Sequence, residues 1–503
     1  MLGPRIEKAK RDFYDLRDPE IGERKIKAIL KPRERDTEVY LSPWLAFSKE
    51  DKHVYPSQGL LTTPHDYLKY KSKQLLPFEE IVQTLRLRRL FLEMFNHPYR
   101  VRALRHVDKE EFSAPKIVSS TTFEYAKNTG LSISIGDLGA SVCGSQTERR
   151  SRNERYADGP FVKLGRQARS LFVGSASPDV WNSAASISTM AASHCLACIP
   201  RNGVTADVTR QADLAREVFD WLDELERDLL RGRSDREFIS TLWRKNVCGT
   251  LGATPEDVVK RAHILYSAGV RTFRVYSPEP GTGVVNSIRA LRKTFSGEIE
   301  IFAGMMVDDR QCVEAEEAGA DGLYIGIGGG GRCITGVRSG SVIDWPELVW
   351  NLRGKIHIPI IVEGGASDHV AATLLLGASG ISVSRVVSGG TIESPGGGLY
   401  CVDEKGELFK PYGGEASART KYLDGKLLPF NVPSFVEGET ARATKSYVKH
   451  ALPTLTYNLH LLIEDAILAM VFRNVNSISE LQNIDPSPLK RTTSFDAFQR
   501  NTH

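Results

Sequence analysis

The sequence predicts an α/β fold: a closed (β/α)8 TIM barrel with a polar, basic N-terminal extension and a flexible C-terminal tail. Three observations predict it. Short apolar runs recur eight times between residues 170 and 387, amphipathic segments separate them, and several of those segments open with helix-capping residues. Near-continuous apolar strands are buried on both faces, which calls for a parallel sheet covered by helices. An open doubly wound sheet is the alternative, and the count of eight disfavours it.

The runs are Ser170–Ala176, Cys195–Pro200, Val247–Ala253, Thr272–Ser277, Ile299–Gly304, Gly322–Gly328, Ile358–Gly365 and Gly380–Val387. Helical patterns lie between them at Pro255–Ala268, Val284–Thr294, Asp308–Ala318 and Ser367–Gly377, with Thr254 before Pro255 and Ser367 as cap residues. The barrel is therefore assigned to residues 166–483. Residues 1–165 are rich in Arg, Lys, Tyr and Pro without a regular strand–helix alternation, and carry one amphipathic helix near Phe78–Phe95. The basic runs Arg86–Arg89 and Arg149–Arg152 read as a solvated helix face and a solvated loop, or as a docking surface for an acidic partner. Residues 484–503 form a polar tail, expected to be flexible. The segment Tyr457–Phe472 has apolar residues at helical spacing and reads as a helix that packs on the barrel or between subunits.

Composition narrows the function classes. A chain of 503 residues with 41% hydrophobic and 25% charged residues has the balance of a globular protein of two or three units. A net charge of +4 argues for neither a nucleic-acid nor a membrane partner. No run reaches about 18 uninterrupted apolar residues, and the start Met1-Leu2-Gly3-Pro4-Arg5 has no apolar signal core. Seven irregularly spaced cysteines fit a reducing compartment, so a cytoplasmic or other reducing intracellular location is expected. Cys195-Leu196-Ala197-Cys198 is a CxxC along an expected buried strand, and lacks the second pair that a zinc site needs.

Barrel chemistry sits on the loops after the strands, and the sixth loop is unusual. It runs Gly326-Ile327-Gly328-Gly329-Gly330-Gly331-Arg332-Cys333-Ile334-Thr335-Gly336. So many glycines let backbone approach a ligand or turn carbonyls toward an ion. Cys333 beside Arg332 is a candidate nucleophile, because a thiolate gains from nearby cations and N–H groups; the alternative is a flexible loop with an incidental cysteine.

This loop resembles the Cys loop of the IMP dehydrogenase and GMP reductase family, and collinear segments support the resemblance over about residues 168–472. They are Gly174–Asp179, Ile199–Asn202, Ala303-Gly304, Ile360–Gly365, Gly390–Gly396 and Lys410–Gly414. The resemblance implies that Cys333 attacks C2 of a purine 5′-nucleotide (GMP or IMP) as a thioimidate, with NADP or NAD as hydride partner and Thr335 in proton transfer. It implies a nucleotide pocket of Ser175, Gly331, Glu363, Gly364, Gly365, Arg385 and Tyr412, with Glu363 gripping the ribose hydroxyls. It further implies a potassium ion on the carbonyls of Gly326, Gly328 and Cys333. The interval Arg201–Asn246 reads as mostly one charged helical stretch and leaves no room for the regulatory CBS modules that the dehydrogenases insert there. The layout is nearer GMP reductase, with Asp424 matching that enzyme's catalytic glutamate and Glu437 as the rival. Homo-oligomers are common in the family, and residues 1–165 could instead incorporate the chain into a larger assembly.

Several positions depart from the family pattern. Tyr276 replaces the aspartate after the fourth strand, Gly331 the phosphate-binding serine, and Ser384-Arg385 a Gly-Ser pair. Met305 stands for an asparagine, and Glu415-Ala416 for a Met-Gly pair. Each lost charge-assisted contact costs about 1.5–3 kcal/mol, and a fold can outlive its chemistry. Two readings follow: a purine nucleotide oxidoreductase, or a catalytically degraded barrel acting as a structural or assembly component.

Overall fold

A computed structural model describes residues 72–75, 78–119, 131–133, 154–155, 159–277, 281–326, 343, 345–364, 366–395, 397, 399–402, 406–412, 415, 427–428, 432–433, 441–444 and 454–491. Each of the eight expected runs holds a strand, the fifth strand extending two residues past its run: β1 Phe172–Gly174, β2 Ala197–Ile199, β3 Val247–Leu251, β4 Thr272–Tyr276, β5 Glu300–Met306, β6 Gly322–Ile325, β7 Ile360–Val362 and β8 Gly380–Val383. They form one parallel sheet in the order β1-β8-β7-β6-β5-β4-β3-β2. A parallel bridge between Val173 and Leu196 joins the two ends, and Gly174 N–H donates to the Leu196 carbonyl at 2.7 Å. The ring is closed. With helices on the outside and side chains inside, every strand is sealed from water, which explains the near-continuous apolar runs.

Two local expectations change. The interval between β2 and β3 was expected as one helical stretch, but it folds as two helices, Val208–Leu229 and Arg236–Lys245. Gly232 at φ +72°, in the left-handed region, turns the chain between them. Ser367 does not cap a helix: it lies inside the 3₁₀ turn Ala366–His369, and the helix Val370–Leu376 begins after it. Asp308 does cap, accepting from Gln311 N–H at 2.7 Å ahead of the helix Asp309–Glu317.

The floor of the barrel is a polar plug. An antiparallel hairpin, Phe161–Leu164 with Gln167–Ser170, enters just before β1. It carries the buried Arg169, which donates to both carboxylate oxygens of Glu300 at 2.9 and 2.6 Å, to Asn246 Oδ1 at 2.9 Å and to the Lys245 carbonyl at 3.0 Å. The hairpin turn needs Gly165: at φ +72° a Cβ there would lie 2.0 Å from Glu300 Oε1. Burial alone would raise the Glu300 carboxyl, but the Arg169 guanidinium outweighs it and holds the group below the ordinary carboxylate range.

Segments ahead of the barrel pack onto it. The helix Phe78–Phe95 contributes Phe91, Leu92 and Phe95 to the barrel's hydrophobic core, and Asn96 Nδ2 donates to the Ala192 carbonyl at 2.9 Å. Arg88, within the run read as a solvated face, is buried: its guanidinium lies over Trp221 and pairs with Glu393 at 3.9 Å. Its neighbour Arg89 does face outward, pairing with Glu93 and Asp228. The strand Ser72–Leu75 pairs with Leu399–Val402, and Leu131–Ile133 pairs with Leu489–Arg491. Residues 484–491 of the segment expected to be flexible are thus held, since Asp485 also accepts from Ser119 N–H at 3.0 Å; residues 492–503 lie outside the described residues. The helix Leu455–Arg473 is long and apolar enough to cross a membrane by composition, yet it lays Leu459, Ile463, Ala466 and Ile467 into the core of the barrel.

The plug yields a sign-determined prediction. Arg169→Met leaves Glu300 buried and unpaired, and should lower stability by about 3–5 kcal/mol in urea denaturation at neutral pH. Because the native Glu300 value is depressed, its contribution is complete above the unfolded carboxylate value of about 4.3 and disappears as pH falls through the lower native value. The gap between wild type and variant should therefore narrow on acidification; a gap constant with pH would sink the assignment.

Candidate functional site

The carboxyl ends of the strands present Ser175 after β1, Arg201 after β2, Tyr276 closing β4, Gly326 after β6, Glu363 after β7 and Arg385 after β8. The residue that organises them is Arg274, the third residue of β4. It is the one charged side chain in Thr272-Phe273-Arg274-Val275-Tyr276, so on a pleated strand it shares a face with Tyr276. It is 1% exposed, inside the ring, and its Nη2 donates to Glu363 Oε2 across the barrel. The guanidinium lies 4.0 Å from the Tyr324 ring centroid and 4.4 Å from that of Tyr276. Burial works against its charge, but Glu363 leads a set of groups that outweighs it, and the arginine is held above its ordinary value.

A second ion pair lies at the rim. Arg201 Nε donates to Glu415 Oε1 at 2.8 Å, and its guanidinium sits 5.6 Å from the Tyr276 ring centroid. Tyr276 is thus flanked by two guanidiniums, each attracted to the negative charge above an aromatic face. Below Arg274, Tyr324 meets Cys198 Sγ at 3.8 Å, and Cys198 lies in register with Cys248 on the neighbouring strand. The hydrogen bond from Cys248 lowers the Cys198 thiol, with Arg274 adding to it, whereas burial pushes Cys248 up. Cys195, Cys198, Cys248 and Cys312 are buried and free, as the buried-strand reading of the CxxC requires. No group of three or more His, Cys, Asp or Glu among the described residues is placed to hold a metal ion.

The expected site residues fall into two groups. Gly328, Gly331, Cys333, Thr335, Gly365, Asp424 and Glu437 lie outside the described residues. The others are placed as follows. Ser175 is buried, and its Oγ accepts from Trp181 Nε1 at 3.2 Å and from Ser177 N–H at 3.3 Å. Glu363, expected to face a ribose, is engaged by Arg274. Gly364 follows it at φ +99°, and Arg385 opens the single-turn helix Arg385–Ser388 at the end of β8. Tyr412 ends the strand Leu408–Tyr412, which pairs with Ala441–Thr444. Gly326, at φ +121°, is needed for a close approach, but to the protein: a Cβ there would lie 2.0 Å from the Glu363 carbonyl.

Three residues escaped sequence reasoning. Arg274 had a signal, a lone charge inside an apolar strand, since a buried charge needs a partner. Glu393, within the expected Gly390–Gly396 segment, is 2% exposed and accepts from Thr454 Oγ1 at 2.6 Å and Leu455 N–H at 3.1 Å. Lys410 is buried beneath the same loop, and its Nζ donates to the carbonyls of Thr391, Ser394 and Gly397 at 2.7, 3.0 and 2.6 Å. The last two pin the loop after β8; nothing in their spacing foretold those partners.

Comparison with known proteins accords with this geometry. The family model described as IMP dehydrogenase / GMP reductase domain matches residues 167–484. The chain is 33% identical over 167 residues to inosine-5'-monophosphate dehydrogenase of Nitrosopumilus maritimus (strain SCM1), covering 32% of this chain and 34% of that protein. It is 30% identical over 190 residues to inosine-5'-monophosphate dehydrogenase 1 of Arabidopsis thaliana, covering 36% of each. It is 36% identical over 157 residues to GMP reductase of Streptococcus pyogenes serotype M4 (strain MGAS10750), covering 29% of this chain and 46% of that protein. The alignments span about a third to just under half the length of these relatives.

The two rim pairs differ in burial and should differ in energetic weight. Glu363→Ala strands Arg274 as a buried charge and should cost near the lower end of about 3–5 kcal/mol, since Glu363 is itself 24% exposed. Glu415→Ala leaves behind Arg201, which is 20% exposed where Arg274 is 1% exposed and can recover hydration, so it should cost less than Glu363→Ala. Urea denaturation of both variants checks the ranking; equal costs would mean that Arg274 does not anchor the rim.

Proposed function

The chain belongs to the IMP dehydrogenase / GMP reductase family, and from that premise we propose that it binds a purine 5′-nucleotide at the strand-end rim and acts on it as an oxidoreductase. The observation that carries the reading is positional. The Cys333 loop follows β6 directly, and Glu363-Gly364 follows β7, both within the matched segment. Cys333 is the nucleophile toward C2 of GMP or IMP, Thr335 serves proton transfer and Asp424 assists it. Ser175, Gly331, Gly364, Gly365, Arg385 and Tyr412 hold the nucleotide. The layout without CBS modules leans toward the reductase direction. Homo-oligomerisation, or entry into a larger assembly through residues 1–165, is part of the same proposal.

The oxidoreductase reading needs a hydride partner, and NAD or NADP is the one proposed, although one of its expected contacts is not reproduced. Where the resemblance puts a carboxylate acceptor, this chain has the phenol of Tyr276 between Arg201 and Arg274. That side chain does not reproduce the contact, so no step is derived through NAD or NADP. Of the three carbonyls proposed for potassium, that of Gly326 alone belongs to a described residue, and no step depends on the ion.

A second reading, a barrel without turnover that serves as an assembly component, is favoured by one observation: Glu363 is already held by Arg274. Thermal denaturation with millimolar GMP or IMP, alone and with NADPH or NAD, separates the readings, because a ligand that binds only the folded state raises the melting temperature. The oxidoreductase reading expects a nucleotide-dependent rise and a change in nicotinamide absorbance. Cys333→Ala should keep the rise and lose the absorbance change. If neither nucleotide shifts the transition and no absorbance changes, the assembly reading replaces it.

A further inference from the structure

The loop after β8 is shaped around an ammonium. Lys410 is 2% exposed, and its Nζ donates to the carbonyls of Thr391, Ser394 and Gly397 at 2.7, 3.0 and 2.6 Å and to Ser394 Oγ at 3.2 Å. The Tyr400 ring centroid lies 4.8 Å from the same nitrogen, and the Tyr400 hydroxyl donates to the Gly390 carbonyl at 2.7 Å. Carbonyl dipoles that converge on one point repel one another unless a cation sits between them, and an ammonium offers three N–H donors and no acceptor. The conformation of this loop therefore depends on Lys410. The loop is held to the barrel independently, through Glu393. That carboxylate accepts from Thr454 Oγ1 and Leu455 N–H, and the Glu393 backbone carbonyl accepts from Ser183 Oγ at 2.6 Å.

We propose that Lys410 is a positioning residue for the nucleotide site: its ammonium, backed by Tyr400, fixes the strand that ends in Tyr412 against the loop that follows Arg385. This rests on the purine nucleotide reading above, in which Arg385 and Tyr412 hold the ligand. After β8 the chain passes through Arg385–Ser388 and the loop to the strand Leu399–Val402, then comes back along Leu408–Tyr412. The two strands pair antiparallel with Cys401 opposite Phe409, so the return arm carries Lys410 two residues before Tyr412. The ammonium closes this excursion on itself. Glu393 ties the loop to the barrel, whereas Lys410 ties the return strand to the loop. Removing the lysine loosens the end that carries Tyr412 while the barrel keeps its hold on the loop. Lys410 thus acts on the ligand through the place of Tyr412, not by contact.

Isothermal titration of the full chain with GMP, well below the melting transition, tests this. Lys410→Ala should bind GMP at least about tenfold more weakly than wild type. Propylammonium chloride supplies the atoms that the substitution removes, and the vacated space lies beside the half-buried Gly397. It should restore affinity to within about threefold of wild type. Tetramethylammonium at the same ionic strength, which has the charge but no N–H, should not. Unchanged affinity in a Lys410→Ala protein with a lowered melting temperature overturns the proposal, because the lysine is then a structural pin alone. So does a loss that propylammonium leaves in place, or one that tetramethylammonium repairs equally. If Lys410→Ala does not fold, Tyr400→Phe decides. It keeps the ring beside the ammonium, releases the Gly390 carbonyl, and should weaken GMP binding about threefold or more; unchanged affinity there overturns the proposal. If folded wild type binds neither GMP nor IMP, the nucleotide reading itself fails, and the positioning role fails with it.

Discussion

A guanidinium sealed inside a ring of eight strands is the constraint around which this barrel is arranged. An isolated charge would be intolerable there, so Arg274 must keep a counter-ion and polarisable neighbours within reach. It has both: Glu363 from the opposite side of the ring, and the Tyr324 and Tyr276 rings. The arrangement continues toward the floor, where Tyr324 meets Phe302 edge-on at 6.2 Å and Phe302 lies 5.7 Å from the buried Arg169. It continues to the rim as well, through Tyr276 to Arg201. Guanidiniums and aromatic rings therefore run along the barrel interior, with Glu300, Glu363 and Glu415 as the three counter-charges. Packing that would otherwise be purely aliphatic is replaced by a column whose members each need the next one.

The outer shell shows the same dependence on distant partners. Glu393 gathers Arg88 from before the barrel and Thr454 from after it onto the loop that follows β8, and Lys410 ties that loop down through three carbonyls. Strands from before residue 135 pair with strands from after residue 398. The described parts of the extension are consequently built into the wall of the barrel by long-range contacts. Pairings this far apart in sequence are costly in chain entropy to close, and only the buried area and hydrogen bonds gained at both ends offset that cost.

How much of this could be read from the sequence depended on range. The eight strands were legible because strands buried on both faces leave a local mark, a short apolar run between turns. The rim was legible in outline for the same reason: strand ends fix where loops begin. Boundaries governed by backbone geometry were not. Gly232 splits one expected helix in two, and Ser367 falls inside a tight turn although its residue type suits a cap. Least legible were the side-chain partnerships, since Arg88, Arg274 and Glu393 look like ordinary charges until the fold brings residues more than 85 positions apart into contact. Arg274 was the exception in principle, because a lone cation in an apolar strand must be explained by something.

The same pair sets the electrostatics of the rim. Arg274 engages one oxygen of Glu363, Oε2, and the second oxygen of the carboxylate keeps its capacity to accept a donor. Removing the carboxylate would strand the guanidinium, at a cost near the lower end of about 3–5 kcal/mol because Glu363 is itself 24% exposed. The strand-end rim is therefore tied through one residue on β4 whose partner follows β7, 89 positions later in the sequence.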